Sequence, residues 1–200
     1  NFSLLDGFAD RGGAVSCDSC TLRVVDSRIQ GNKAADGGDA ISVTNGRLEL
    51  VNNILRNNGS SSSSGAVIEA RNTFADTSKR DVIRNNTFYQ NKTTSILTTG
   101  NRTDISNNIL VGIPGSGEPA IIDSASGIEP LVRYNLFWDT DILYLSGARD
   151  SVKVARTVRD TLTLAEQGVA VPSFVTNVPD TVAKVGSLYQ FDIGFATAES

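Results

Sequence analysis

Apolar residues recur along the chain in short runs of alternating polarity, and the runs are separated by Gly, Asn, Asp and Ser. Runs rich in Val, Ile, Leu and Thr between such turn formers are typical of short β-strands. Asn itself is a poor strand residue, because its side chain competes for backbone hydrogen bonds and favours turns. The couple Asn52-Asn53 inside GRLELVNNILRNNG therefore predicts a corner between two strands.

This pattern repeats along the chain. The pairs that open similar segments are 26, 26, 29 and 25 residues apart, and they are Ala14-Val15, Ala40-Ile41, Ala66-Val67, Ser95-Ile96 and Ala120-Ile121. Each segment contains a second apolar run, and its aligned residues are Val24, Leu50, Ile83, Ile105 and Val132. A polar couple closes that run, and a third apolar position follows at Ile29, Leu55, Phe88, Leu110 and Phe137.

A period near 25 residues without a helical pattern predicts a parallel β-helix, in which each coil stacks on the one before. Like positions then lie about 4.8 Å apart along the stack. A column of Asn side chains can form hydrogen bonds from coil to coil, and such a ladder is expected at Asn53, Asn86, Asn108 and Asn135. The predicted fold is all-β, a right-handed parallel β-helix of about five to six coils with a partial β-module at the C-terminus.

The segment GGAVSCDSCTLRVVDSRIQGNKAADGGDAI resembles the GGAI…F/IxxN repeat of bacterial secreted and surface right-handed β-helix proteins, including polymorphic-membrane-protein-like repeats. NNILVG and YNLFW resemble later coils of pectin-lyase-like β-helices. The resemblance covers residues 1–145, which form the predicted β-helix domain. It implies the fold but no single activity, because this fold hosts lyases, hydrolases, epimerases, phage tailspikes and adhesins.

The periodicity ends after Trp138, and residues 146–200 are predicted to form a cap or linker followed by the start of a β-module. FVTNVPDTVAKVGSLYQFDIGF resembles the opening of a bacterial Ig-like module. Only two strands of such a module fit before Ser200, so they are expected to dock elsewhere or to be disordered. A docking strip is predicted on late coils, where the outward column reads Ser16, Ser42, Ile68, Leu97 and Ile122.

Composition narrows the class of protein. A net charge of −4 and an isoelectric point near 4.8 argue against nucleic-acid binding, which needs a basic face. No apolar window approaches the length of a membrane span. The absence of Met and the start in mid-pattern suggest a fragment of a longer secreted or cell-surface chain with further domains. Cys17 and Cys20 are expected to form a small disulfide or two buried thiols, since no His is present to complete a zinc site.

The acids are the candidate catalytic residues, because β-helix polysaccharide enzymes use carboxylates, or acidic Ca²⁺ sites with a basic residue. Two outward columns of the second strand predict a mixed patch of Glu49, Arg84, Asp104 and Arg133. A solvated face with alternating charges explains this patch equally well. Glu69 and Asp123 are a second candidate, predicted to share a first-strand position two coils apart, roughly 10 Å by stacking.

Asp36 and Asp39 in DGGD could bind Ca²⁺, although turn chemistry explains them as well. No cofactor is expected, with Ca²⁺ as the alternative kept open. Trp138 and Tyr144 follow the last coil and are the exposed aromatic candidates for binding a sugar.

Two function classes follow. The first is a glycan-binding, partner-binding or structural adhesin-like module of a secreted or cell-surface protein, with a polysaccharide as the expected partner. The second is a fragment of a polysaccharide lyase or glycoside hydrolase. The absence of a convincing acidic cluster favours the first.

Overall fold

The computed structural model describes residues 2–60, 62, 65–113, 115–124, 130–138, 140 and 142–146, with the side chains of 74–79, 101 and 146 excluded. The described residues form strands and contain no helix. The strands are β1 Ser3–Leu5, β2 Phe8–Ala9, β3 Val15–Asp18, β4 Thr21–Val25, β5 Arg28–Gln30, β6 Lys33–Ala34, β7 Ile41–Thr44, β8 Arg47–Val51, β9 Ile54–Arg56, β10 Ala66–Arg84, β11 Thr87–Tyr89, β12 Thr94–Ser106, β13 Ile109–Val111, β14 Pro119–Asp123, β15 Leu131–Arg133, β16 Leu136–Trp138 and β17 Ile142–Ser146.

All strand pairs are parallel. Strands β2 and β6 form a separate two-stranded sheet, and the other strands stack into three faces. Sheet 1 contains β3, β7, the first part of β10, the first part of β12, β14 and β17. Sheet 2 contains β4, β8, the last part of β10, the last part of β12 and β15. Sheet 3 contains β1, β5, β9, β11, β13 and β16. The predicted parallel β-solenoid is confirmed, with about five turns.

The core lies between the three sheets and is built from the predicted columns. The second-strand and third-strand columns are in register from coil to coil, and their members are almost completely buried. Each inward residue packs on the equivalent residue of the next coil, about 4.8 Å away. Burial of these side chains supplies the main stabilisation of the stack.

The first-strand register differs from the prediction by one residue in the third coil. Ile68, not Val67, pairs with Ile41 and Ile96. Ala66, Val67 and Ile68 are all fully buried, so the apolar run itself does not reveal which residue points inward. The predicted outward position of Ile68 is therefore wrong, and Glu69 occupies that column.

The remaining outward positions of this column, Leu97 and Ile122, are half-buried, and Leu145 of β17 extends it. The periodicity therefore does not end after Trp138, because β17 begins a sixth coil. The predicted cover for this column and the predicted Ig-like module both fall on residues after 146, which lie outside the described residues. In the part of the chain that is described, no helix has the length and apolarity to span a membrane.

A disulfide joins Cys17 and Cys20 across the turn between β3 and β4, with 5.8 Å between their Cα atoms. Cys17 points into the core, whereas Cys20 is exposed. The bridge fixes the corner between sheets 1 and 2 in the first complete coil.

The Asn column forms a buried ladder. The Asn53, Asn86 and Asn108 backbone amides each donate to the side-chain oxygen of the next Asn, at 2.9 Å in every case. The Nδ2 groups donate to that same oxygen and to strand carbonyls, such as Asn86 to Leu50 and Arg84 at 2.9 Å. The residue before each ladder position has a positive φ between 52° and 57°, which turns the corner.

Candidate functional site

The outward side of sheet 2 carries a cluster of charged residues. The strand register places Glu49 and Asp104 in one outward column, on either side of Val82. Arg84 and Arg133 lie in the next column, on either side of Ser106. Both predicted columns are confirmed, because the alternation of β-strands fixes which residues face outward once Leu50, Ile83 and Ile105 point inward.

Asp104 is the centre of this cluster. Its Oδ2 atom accepts hydrogen bonds from Nη2 of Arg80 at 2.8 Å and Nη2 of Arg133 at 3.1 Å. Nη2 of Arg84 lies 3.9 Å from the same oxygen. The Asp104 side chain is 2 % exposed, whereas the three arginine side chains are between 41 % and 45 % exposed. A buried carboxylate thus holds three guanidinium groups that still face solvent.

The cluster is part of a larger cationic surface, which we call the arginine face and define by the outward arginines of sheet 2: Arg23, Arg47, Arg80, Arg84, Arg102 and Arg133. Arg23 pairs with Glu49 at 3.0 Å. Six positive charges against the two carboxylates of Glu49 and Asp104 leave a net charge of +4 on this face. The whole chain carries −4, so charge is strongly segregated.

The predicted proximity within this patch is therefore found for Asp104 and its arginines, and Glu49 bonds separately to Arg23. The catalytic role of these residues stays a prediction. Glu49 and Asp104 lie two coils apart, about 10 Å by stacking.

The second candidate pair is not formed. Asp123 is in register with Thr98 and Ala70, in the column that points into the core. Glu69 is in register with Leu97, in the neighbouring outward column. Because adjacent strand positions face opposite sides of the sheet, the two carboxylates cannot act on one substrate. The prediction that they share a position is wrong, for the same one-residue register reason given above.

Glu69 is an outward residue that is nevertheless buried. Its Oε1 forms an ion pair with Arg71, and its Oε2 faces Gly37, where a Cβ would lie 2.2 Å from that oxygen. Gly37 has a φ of +134°, which side chains rarely adopt, so this close cover requires glycine. Burial, and secondly the positive charge of Arg11, lowers the pKa of Arg71.

Asp123 contacts Tyr144, whose hydroxyl donates to Oδ2 at 3.3 Å. Tyr144 is 5 % exposed and is in register with Ile121 of the core. The predicted exposure of Tyr144 as a sugar-binding residue is wrong, because β17 adds a coil and directs the ring inward. Asp123 and Tyr144 form an interior polar pair, not a surface site.

Asp39 is fully buried and bonded within the fold. Its Oδ1 accepts from the Ala34 amide at 3.1 Å, and its Oδ2 accepts from the Thr93 hydroxyl at 2.7 Å. Asp36 is exposed. The described residues contain no group of three or more acids, cysteines or histidines arranged to hold a metal ion. These hydrogen bonds give Asp39 a structural role, and Ca²⁺ binding by Asp36 and Asp39 stays a prediction.

The outward side of sheet 3 carries aromatic and apolar residues. One outward column runs through Gln30, Arg56, Tyr89, Val111 and Trp138. We call this column the aromatic strip. Tyr89 is 42 % exposed and Trp138 is half-buried, and they lie two coils apart, about 10 Å by stacking. Nε of Arg56 donates to Oε1 of Gln30 at 2.7 Å, so polar groups continue the strip on the earlier coils.

Two features were missed from the sequence. Arg80 joins the arginine face because β10 contains register shifts between Arg71 and Arg80, which no repeat alignment reveals. A second buried ladder links Asn32, Asn58 and Asn91, with amide-to-Oδ1 distances of 3.1 and 3.0 Å. Its signal was the recurrence of an Asn five positions after Ser27, Asn53 and Asn86.

The fold and the two outward surfaces define a parallel β-solenoid with a cationic face and an aromatic strip. Comparison with protein families, with curated proteins and with solved structures finds no match for this chain.

Proposed function

We propose that this chain is a glycan-binding module of a secreted or cell-surface β-helix protein, and that the aromatic strip is its binding surface. The observation that carries the proposal is the register of Tyr89 and Trp138 on one outward column. The resemblance of the repeats to bacterial secreted β-helix proteins supports the location, and the resemblance of the C-terminal stretch to an Ig-like module supports a multi-domain surface protein.

The geometry suits an extended sugar chain that runs along the stack. Aromatic rings offer flat apolar faces that pack against the C–H faces of sugar rings, and Tyr89 presents such a face to solvent. Val111 between the two rings keeps the strip free of a charged group. Gln30 and Arg56 provide a donor and acceptors for sugar hydroxyls on the neighbouring coils.

Trp138 is the only tryptophan of the chain, so its fluorescence reports directly on this surface. We expect one member of a panel of neutral oligosaccharides to change that fluorescence in a saturable way. Tyr89→Ser should then weaken binding by roughly 3- to 10-fold, because one aromatic contact contributes about 0.5–1.5 kcal/mol. Tyr134→Asn is the matched control, since Tyr134 is an exposed aromatic residue at a corner where earlier coils carry Asn.

A panel without any fluorescence change, or equal weakening by both variants, would overturn the proposal. The alternative function, polysaccharide cleavage, has Glu49 and Asp104 as its carboxylates, and both are already bonded to arginines. Size-exclusion chromatography of the same glycans after incubation with the protein separates the two, because shortened chains establish an enzyme.

A further inference from the structure

We propose that the arginine face is a second binding surface, independent of the aromatic strip, and that it binds a linear acidic polysaccharide through carboxylate or sulfate groups. It lies on sheet 2, whereas the aromatic strip lies on sheet 3. The inference therefore does not depend on the proposed function of the strip.

The arginine face differs in charge from the chain as a whole. Nearby positive charges raise the local concentration of an anionic polymer, and the net +4 of this face stands out in a chain of net −4. Among the described residues, the outward positions of sheet 2 hold six arginines and no lysine, against the two carboxylates of Glu49 and Asp104. Arg is the side chain whose planar fork pairs with carboxylate and sulfate-like groups through two hydrogen bonds.

Three arginines of this face are held in place by Asp104. Long exposed side chains lose rotamer freedom when they bind, which weakens binding. Asp104 already holds Arg80 and Arg133 by hydrogen bonds and Arg84 by a longer ion pair. Each guanidinium contacts Asp104 through Nη2 alone, so its other donors are not bonded to Asp104. The carboxylate thus arranges the three groups in advance for an external anion.

The arginines of this face are regularly spaced along the stack. Arg80 and Arg102 lie on adjacent coils, about 4.8 Å apart by stacking, and Arg84 and Arg133 lie two coils apart, about 10 Å. These distances repeat along the stack axis, as anionic groups repeat along an extended polysaccharide. A polymer with regular charges can therefore contact several arginines at once, which multiplies weak single contacts. The net charge of −4 on the whole chain gives less support for a DNA duplex, whose binding rests on the neutralisation of many phosphates.

The test is binding of sulfated and carboxylated polysaccharides to the whole chain at low salt, measured by calorimetry. Neutral dextran and double-stranded DNA serve as comparison ligands. We expect micromolar-range or tighter binding to at least one acidic polysaccharide and none to dextran. If the bound polysaccharide neutralises three guanidinium groups, the affinity should fall roughly 20-fold when the salt concentration rises from about 50 to about 200 mM.

The decisive variant is Arg84→Ser with Arg133→Ser, because the same column contains Ser106 and accepts Ser without change of fold. We expect at least a 10-fold loss of affinity. Arg11→Ser with Arg28→Ser removes the same charge from other parts of the chain and should leave affinity within about 2-fold. Equal loss in both double variants would mean a bulk charge effect and overturn the proposal.

Two further outcomes would also overturn it: DNA bound as tightly as the best polysaccharide, or no acidic polysaccharide bound at low salt. Arg102→Ser is a second variant that does not touch Asp104 in the described contacts, and it should weaken binding by several-fold even if the double variant is poorly folded. Trp138 fluorescence should stay unchanged by the acidic ligand, so failure here is distinguishable from failure of the aromatic strip.

Discussion

At the scale of the residue, Asp104 shows how a buried charge is kept on an outer face. Removing a carboxylate from water costs several kcal/mol unless partners compensate. Here three guanidiniums share one oxygen, and their half-exposed positions keep them hydrated. The carboxylate contributes order to the arginines as well as stability to the sheet.

Asp104→Asn should therefore lower the free energy of unfolding by about 2 kcal/mol, because charge-assisted hydrogen bonds to two arginines are lost. The half-exposed arginines regain water, which keeps the loss below the ~3–5 kcal/mol of fully buried pairs. Urea unfolding at low salt measures the change. Glu49→Gln, which removes an exposed pair with Arg23, should cost no more than about 1 kcal/mol. Equal losses would contradict the anchoring role of Asp104.

The charged columns of sheet 2 could be predicted from the sequence because polar and apolar residues alternate clearly there, as at Glu49 beside Leu50. Glu69 could not be placed relative to Asp123. The run Ala66–Ile68 is buried on both sides of the strand. Because inward and outward residues are then equally apolar, the pattern of hydrophobic residues does not set the register. A single slip moved Glu69 to the outer side of its strand, whereas Asp123 keeps its predicted register with Thr98.

At the scale of the element, the corners are set by two Asn ladders and not by the strands alone. Many strands of sheet 3 are three residues long, too short to specify their own pairing. Asn86, for example, bonds to the preceding coil, to its own coil and to the next one, which fixes the stacking distance and the register together. The first ladder could be predicted from aligned Asn residues. The second could not be predicted in the same way, because its Asn recurs in three coils only and the next coil has Ile113 at that position.

Asn86→Ala tests the ladder. Its side chain donates to Leu50, Arg84 and Asn108 and accepts from the Asn53 amide, all in the interior. We expect a loss of about 3–5 kcal/mol, because several buried groups are left without partners at once.

Asn85→Gly is the control for that substitution. Asn85 is exposed, and its φ of 56° is one that glycine adopts freely, so stability should change by less than about 1 kcal/mol. Thermal and urea unfolding of both variants measure the difference. Similar losses would mean that the corner conformation, not the ladder, carries the stability.

At the scale of the whole molecule, the fold is a one-dimensional stack in which each coil contacts its neighbours only. Stability is then a sum over neighbouring interfaces, and interior coils have two of them. Strand β11 pairs with both β9 and β13, whereas β1 pairs with β5 alone among the described strands. Position along the axis thus governs the cost of a core substitution.

Phe88→Ala in β11 should cost about 3–5 kcal/mol, since the ring is fully buried between two coils. Leu4→Ala in β1 should cost less than half of that, because Leu4 is half-buried at the end of the stack. Urea unfolding of the two variants measures both values. Equal costs would contradict the nearest-neighbour picture.

The Ser27 amide also donates to Asn53, so Ser27 opens the first ladder, and both ladders then have the same separations between successive coils, 26 residues followed by 33. The stretch between the ladders is therefore of fixed length in these coils. Of the seven extra residues of the third coil, one lies between Asn58 and Ile68 and six lie within β10, between Ile68 and Ile83. The ladders keep the number of residues constant on one side of the solenoid, whereas the other sides can accommodate insertions. We expect the solenoid to tolerate loops inserted between Arg71 and Arg80, where this chain already has extra residues. Loops inserted between Asn53 and Asn58 should not be tolerated.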